Sequence, residues 1–238
     1  MTDTIRILFL SASPWANSRI LVDEEARYIF ERLQEGRYRN CFELYNHTAA
    51  RPEDLQRLLL THQPHIVHFS GHGTKQQKII FGGPHGQGET VDQQGLTNVF
   101  ALYNNNVRLV LLNACFTRAQ ARSISEVVDY SIGTTKPIGD KASVAFAGAF
   151  YRALGFGKSV RQAFESAIAE LALTKMPRSR GIKLFVKNGI SERDRFPQID
   201  ADRNLPARAI STNLVKAKGI VEVTTTVKTI QQTVLFRR

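Results

Sequence analysis

Cysteine is almost missing from this 238-residue chain: Cys41 and Cys115 are the only two. Two cysteines cannot make a disulfide framework, and a reducing cytoplasm is the expected setting. Nor does any apolar run approach the ~20 residues that cross a bilayer, so no membrane association is expected. The start, MTDTIRILFL, has no basic stretch ahead of an apolar core and no small-residue cleavage site, which argues against a secretion signal. Acidic residues are few, 21 against 32 Lys and Arg, giving a formal charge of +11. Such an excess first suggests nucleic acid. The basic residues are scattered, however, and no DNA- or RNA-binding motif accompanies them, so nucleic acid is not the expected partner. No internal repeat is present.

What the chain does have is alternation. Short apolar runs at Ile5–Leu10, Cys41–Tyr45, Ile66–Ser70, Arg108–Leu112, Val127–Ile132 and Ile182–Val186 read as strands. Between them lie helical spacings. Leu21, Val22, Ala26, Ile29, Phe30 and Leu33 form one stripe, ended by Gly36, and Pro52 opens another through Leu55, Leu58 and Leu59. A third helix covers Gln93–Tyr103, a fourth begins after Asp140 and a fifth after Ser159. Lys78–Phe81 and Glu89–Val91 flank a glycine-rich turn as a small hairpin. Strands alternating with helices predict an α/β fold, a mostly parallel sheet covered on both faces.

The core domain is expected over residues 1–187. Residues 188–207, polar and broken by Pro197 and Pro206, read as a linker, and 208–238 as a basic, β-prone extension. Gly219–Ile230 would add a strand to the domain's own sheet, pair with a regulatory protein partner, or stack with copies of itself.

In parallel α/β sheets, functional groups gather at the carboxyl ends of strands. Two ends stand out here. Ile66–Ser70 is expected to stop abruptly at Gly71-His72-Gly73, and Arg108–Leu112 runs into Asn113-Ala114-Cys115. Were these strands parallel neighbours, an imidazole and a thiol would meet at one sheet edge. A thiol with its ordinary pKa of ~8.5 is only a few per cent thiolate at neutral pH. A neighbouring imidazole takes the proton during attack and returns it to the leaving amine. The N–H groups of Gly73 and Cys115 would form an oxyanion hole, worth ~3 kcal/mol per donor in other enzymes. Cys41, inside a strand, reads as core.

Other chemistries fit less well. His62, His65, His68 and His72 invite a zinc reading, but His65 and His68 fall on opposite faces of a strand and the spacing matches no standard site. The glycines of 82–88 lack the Gly-Lys-Ser/Thr ending of a phosphate loop, and Ser11-Ala12-Ser13-Pro14-Trp15 has no glycine for a pyrophosphate. No metal or organic cofactor is called for. Asp140 stands where a helix N-cap belongs, with Ser143 three residues on.

The segment His65-Ile66-Val67-His68-Phe69-Ser70-Gly71-His72-Gly73 resembles the histidine motif of CHAT domains, caspase-like cysteine peptidases of clan CD. Leu109-Val110-Leu111-Leu112-Asn113-Ala114-Cys115 resembles their cysteine motif. Ala145–Leu154, followed by Gly157-Lys158-Ser159-Val160, resembles the helix that comes next. The motifs occur in family order across Ile5–Val186. The resemblance implies a caspase-like three-layer sandwich and an endopeptidase acting on a protein substrate, with His72 as base and Cys115 as nucleophile. It also implies an effector role in bacterial defence, conflict or cell-death systems. Related peptidases place an acidic residue in the S1 pocket, for which Asp140 and Asp129 are the candidates, and this would direct cleavage after Arg or Lys. The competing readings are a catalytically silent caspase-like signalling or assembly module, and a basic α/β protein that binds nucleotide or nucleic acid.

Overall fold

A computed structural model describes residues 4–12, 16–83, 86–174, 176 and 181–190. The linker beyond 190 and the β-prone extension lie outside the described residues. β1 (Ile5–Ala12) leads through α1 (Ala16–Gln34) and a 3₁₀ turn (Arg39–Cys41) to β2 (Phe42–His47). α2 (Pro52–His62) returns to β3 (Ile66–Gly73), which is followed by the hairpin β4 (Ile79–Gly82) and β5 (Gly88–Val91). Then come α3 (Gln93–Leu102), β6 (Leu109–Asn113), α4 (Arg118–Ile124), β7 (Tyr130–Thr134), α5 (Asp140–Gly155), α6 (Val160–Leu173) and β8 (Ile182–Val186).

The main sheet has the order β2-β1-β3-β6-β7-β8. All neighbours in it are parallel except β7 and β8. β6, at its centre, is buried at every position, as a strand covered on both faces must be. Alternate residues feed two cores. Ile7, Phe9, Ile66, Leu109 and Leu111 join residues of α1, α5 and α6 in one. Leu8, Leu10, Val67, Phe69, Val110 and Leu112 join residues of α2, α3 and α4 in the other. The result is the expected three-layer α/β sandwich.

Three elements depart from the sequence expectation. β3 does not stop at Ser70; it continues through Gly73 because the hairpin gives its last residues an antiparallel partner, His72 opposite Ile80 and Gly73 opposite Ile79. β7 starts at Tyr130 rather than Val127, since Val127 and Val128 donate their N–H groups back to Ile124, closing the turn after α4. Phe30, counted in the apolar stripe of α1, is 52% exposed; the buried face runs through Ala26, Ile29 and Leu33.

α1 lies against α5 at a glycine. A β-carbon at Gly148 would collide with the ring of Tyr28, so only a bare backbone lets the two helices approach this closely. Gly148→Ala is expected to lower stability by about 1–3 kcal/mol, the usual cost of overpacking. Combining it with Tyr28→Ala should recover part of the loss. Urea unfolding of the two variants checks this.

Candidate active site

β3 and β6 are parallel neighbours, with Ile66 opposite Leu109 and Ser70 opposite Asn113. His72 stands two residues past Ser70 and Cys115 two past Asn113, so both follow the same carboxyl edge of the sheet. His72 lies on the sheet face of His68 and Ser70, because side chains two apart point the same way. Cys115 follows directly on the carboxyl end of β6, a free and half-buried thiol. Cys41 is also free but fully buried at the end of the 3₁₀ turn, and burial pushes its thiol up. Of the two cysteines, Cys115 is the one open to solvent.

Gly73 shows how closely the two chain segments approach. A β-carbon there would collide with the carbonyl oxygen of Cys115. Thr74 N–H bonds to Lys78 O at 2.9 Å, so alternation along the β3–β4 ladder turns the Gly73 N–H away from β4.

The loop holding Cys115 is tied down from below. Thr134 Oγ1 donates to Ala114 O at 2.7 Å, and Thr117 Oγ1 reaches Ala114 O at 3.1 Å and Leu112 O at 3.3 Å. Thr117 Oγ1 in turn accepts from Thr134 N–H at 3.0 Å. Between them Phe116 takes a φ of 60°, uncommon for a bulky residue, as the chain reverses after the thiol. The two threonines hold that turn.

Burial lowers the pKa of His72, and the negative charge of Asp140 offsets part of the drop. Asp140 is therefore an electrostatic neighbour of the imidazole. It is not the N-cap of α5, as its position suggested. Gly139 occupies that place, and Asp140 is the first helical residue, where its charge suits the helix dipole. Asp129 is a clearer correction. It precedes β7, at the amino-terminal edge of the sheet, and its carboxylate pairs with Arg108 just before β6. Both residues lie at the opposite end of the strands from His72 and Cys115, so Asp129 cannot line a pocket beside them.

Directly beneath the pair is a polar cluster absent from the sequence reading. Glu25 of α1 is 3% exposed, yet its carboxylate accepts from Ser70 Oγ and from Asn113 Nδ2, each at 2.5 Å. Ser70 is two residues before His72, and Asn113 two before Cys115. One carboxylate thus joins the two strands that end in the imidazole and the thiol. His68 Nε2 lies 3.1 Å from Glu25 Oε1, a close contact rather than a well-aligned hydrogen bond. Its Nδ1 lies 3.2 Å from the hydroxyl of Tyr151 on α5. Burial, and secondarily the Glu25 charge, push that phenol well above its usual range. It keeps its proton, so the hydroxyl has a hydrogen to offer in that pair. A signal for Glu25 existed in the sequence. Leu21, Glu25, Ile29 and Leu33 are spaced by four, which sets a lone carboxylate within an apolar stripe.

A family model for the CHAT domain matches residues 11–196. A Roc-COR-CHAT protease from an unidentified prokaryote is 26% identical over 181 residues, which are 73% of this chain and 17% of the relative. A probable protease of Gillisia limnaea is 22% identical over 166 residues, 68% of this chain and 29% of the relative. The chain therefore spans well under a third of either relative. Among solved structures, the Arg-specific cysteine proteinase gingipain R shares the fold at a TM-score of 0.55 with 9% identity, covering 76% of this chain and 46% of that one.

Glu25→Ala would leave the buried donors of Ser70 and Asn113 without their shared acceptor. It should cost about 2–4 kcal/mol, since each stranded buried donor carries a penalty of ~1–3 kcal/mol. Denaturant unfolding with intact secondary structure in the absence of denaturant is the measurement.

Proposed function

The chain belongs to the CHAT domain family, and from that premise we propose that it is a cysteine endopeptidase acting through His72 and Cys115. The observation that supports this reading is the parallel register of β3 and β6, two strands whose carboxyl ends lead to His72 and to the half-buried thiol of Cys115. His72, kept neutral by its burial, takes the Cys115 proton as sulfur attacks the carbonyl carbon of the scissile amide. The N–H groups of Gly73 and Cys115 receive the negative oxygen. The imidazolium then gives its proton to the departing nitrogen, and the amine leaves a thioester on Cys115. Water, deprotonated by the same imidazole, attacks that thioester, releasing the acid and restoring the thiol.

Asp140 has two uses in this scheme. Its charge supports the imidazolium while the proton rests on His72, and its exposed carboxylate is available to a basic P1 side chain. The setting that suits the family is a bacterial defence or cell-death effector in the cytoplasm. A protein partner, or self-association through residues 208–238, would then act as the trigger.

Comparing new protein termini in cells carrying the wild type or Cys115→Ala would test the reaction and name substrates together. Loss of the nucleophile should reduce cleavage at least about 10³-fold; equal sets of termini would refute the proposal. The pH profile tests His72. Only the neutral ring can accept the proton, so kcat/KM should rise with pH through a midpoint below the ordinary histidine value of ~6.5. Asp140→Asn removes the charge that holds this pKa up, so the acid limb should move to still lower pH.

A further inference from the structure

An open cavity of about 430 Å³ begins one residue past Cys115. Lys75, Gln77, Phe116, Arg118, Arg122 and Thr135 are among the residues that line it. Three of them are cations, and no carboxylate lines the cavity. Elsewhere in the molecule Arg32, Arg57, Arg108 and Arg152 each have a carboxylate partner. Among the described residues none is in ion-pair contact with Lys75, Arg118 or Arg122. Three like charges converging on one concavity repel each other and raise the local positive potential, and a bound anion relieves both. The floor is rigid, because Thr134 and Thr117 tie Ala114 in place, and Phe116 supplies an apolar wall.

We propose that this cavity is a substrate subsite for an acidic side chain, aspartate or glutamate, close to the bond that Cys115 attacks. The assignment rests on the peptidase reading and adds a substrate class to it. α4, which carries Arg118 and Arg122, packs on the opposite face of the sheet from α5, which carries Asp140. A peptide crossing the carboxyl edge of the sheet therefore meets a negative site on one side and a positive one on the other. The cavity begins at the residue after Cys115, so the peptidase reading favours the side chain of a protein substrate over nucleic acid as the source of the anion.

The test uses electrophilic peptides with residues on both sides of a reactive double bond, to which the Cys115 sulfur adds. One glutamate is moved through an alanine background, with glutamine, lysine and phosphoserine versions of each peptide. Labelling of Cys115 is followed by peptide mapping, which separates it from Cys41. The expected result is one position at which glutamate labels about tenfold faster than glutamine. That ratio should fall to one or below in Arg118→Glu/Arg122→Glu, where lysine becomes preferred. Phosphoserine outpacing glutamate at that position would support the anion site and identify its source as a phosphorylated side chain. A ratio near one at every position, or a ratio that survives charge reversal, would overturn the assignment. So would a single-stranded oligonucleotide that shields Cys115 at lower concentration than the acidic peptide. Labelling needs only a nucleophilic sulfur, whereas hydrolysis of the matching amide needs the whole reaction. Selective labelling without hydrolysis would thus refute the peptidase and keep the anion site, and unselective hydrolysis would do the reverse.

Discussion

The carboxylate of Glu25 is taken out of water between α1 and the central strands, and everything above it inherits the consequences. A carboxyl group in such a place is tolerated only when hydrogen-bond partners converge on it. Here the hydroxyl of Ser70 and the amide of Asn113 do so from two different strands. One donor stands two residues before His72 and the other two before Cys115, so satisfying the carboxylate also fixes the relative height of β3 and β6. A slip of either strand would leave a buried polar group short of a partner. The requirement that stabilises the cluster therefore acts on the two strands that lead to the imidazole and the thiol.

The sheet adds direction to that alignment. Period-two alternation sends His68, Ser70 and His72 to the same face, while the hairpin after β3 gives the strand end a second partner. Burial then keeps the ring of His72 from charging readily, and Asp140 limits how far that goes. The thiol loop is set independently, through the threonines that grip Ala114. Ordinary secondary-structure constraints thus act on both side chains, the ladder on His72 and the threonine-held turn on Cys115.

The architecture was legible because its signals are local. Apolar runs, turn glycines and four-residue spacings marked thirteen of the elements, and the strand ends pointed to His72 and Cys115 as candidates. What escaped depends on distance along the chain. Asp129 and Asp140 look alike in sequence, yet one pairs with Arg108 at the far edge and the other acts on His72. The seven-residue α4 carries no long apolar stripe, and its arginines acquire meaning only when the loop after β3 places Lys75 opposite them. Glu25 was marked by its spacing, but its partners, 45 and 88 residues away, were not.

Those separations bear on synthesis. Cys115 leaves the ribosome well before Tyr151, and the α5 helix that closes over His68 comes later still in full. Until it docks, the imidazole of His68 has no phenol and the helix bearing Glu25 lacks its lateral support. A chain made only as far as Cys115 therefore carries the thiol before the helix that completes the packing beneath it.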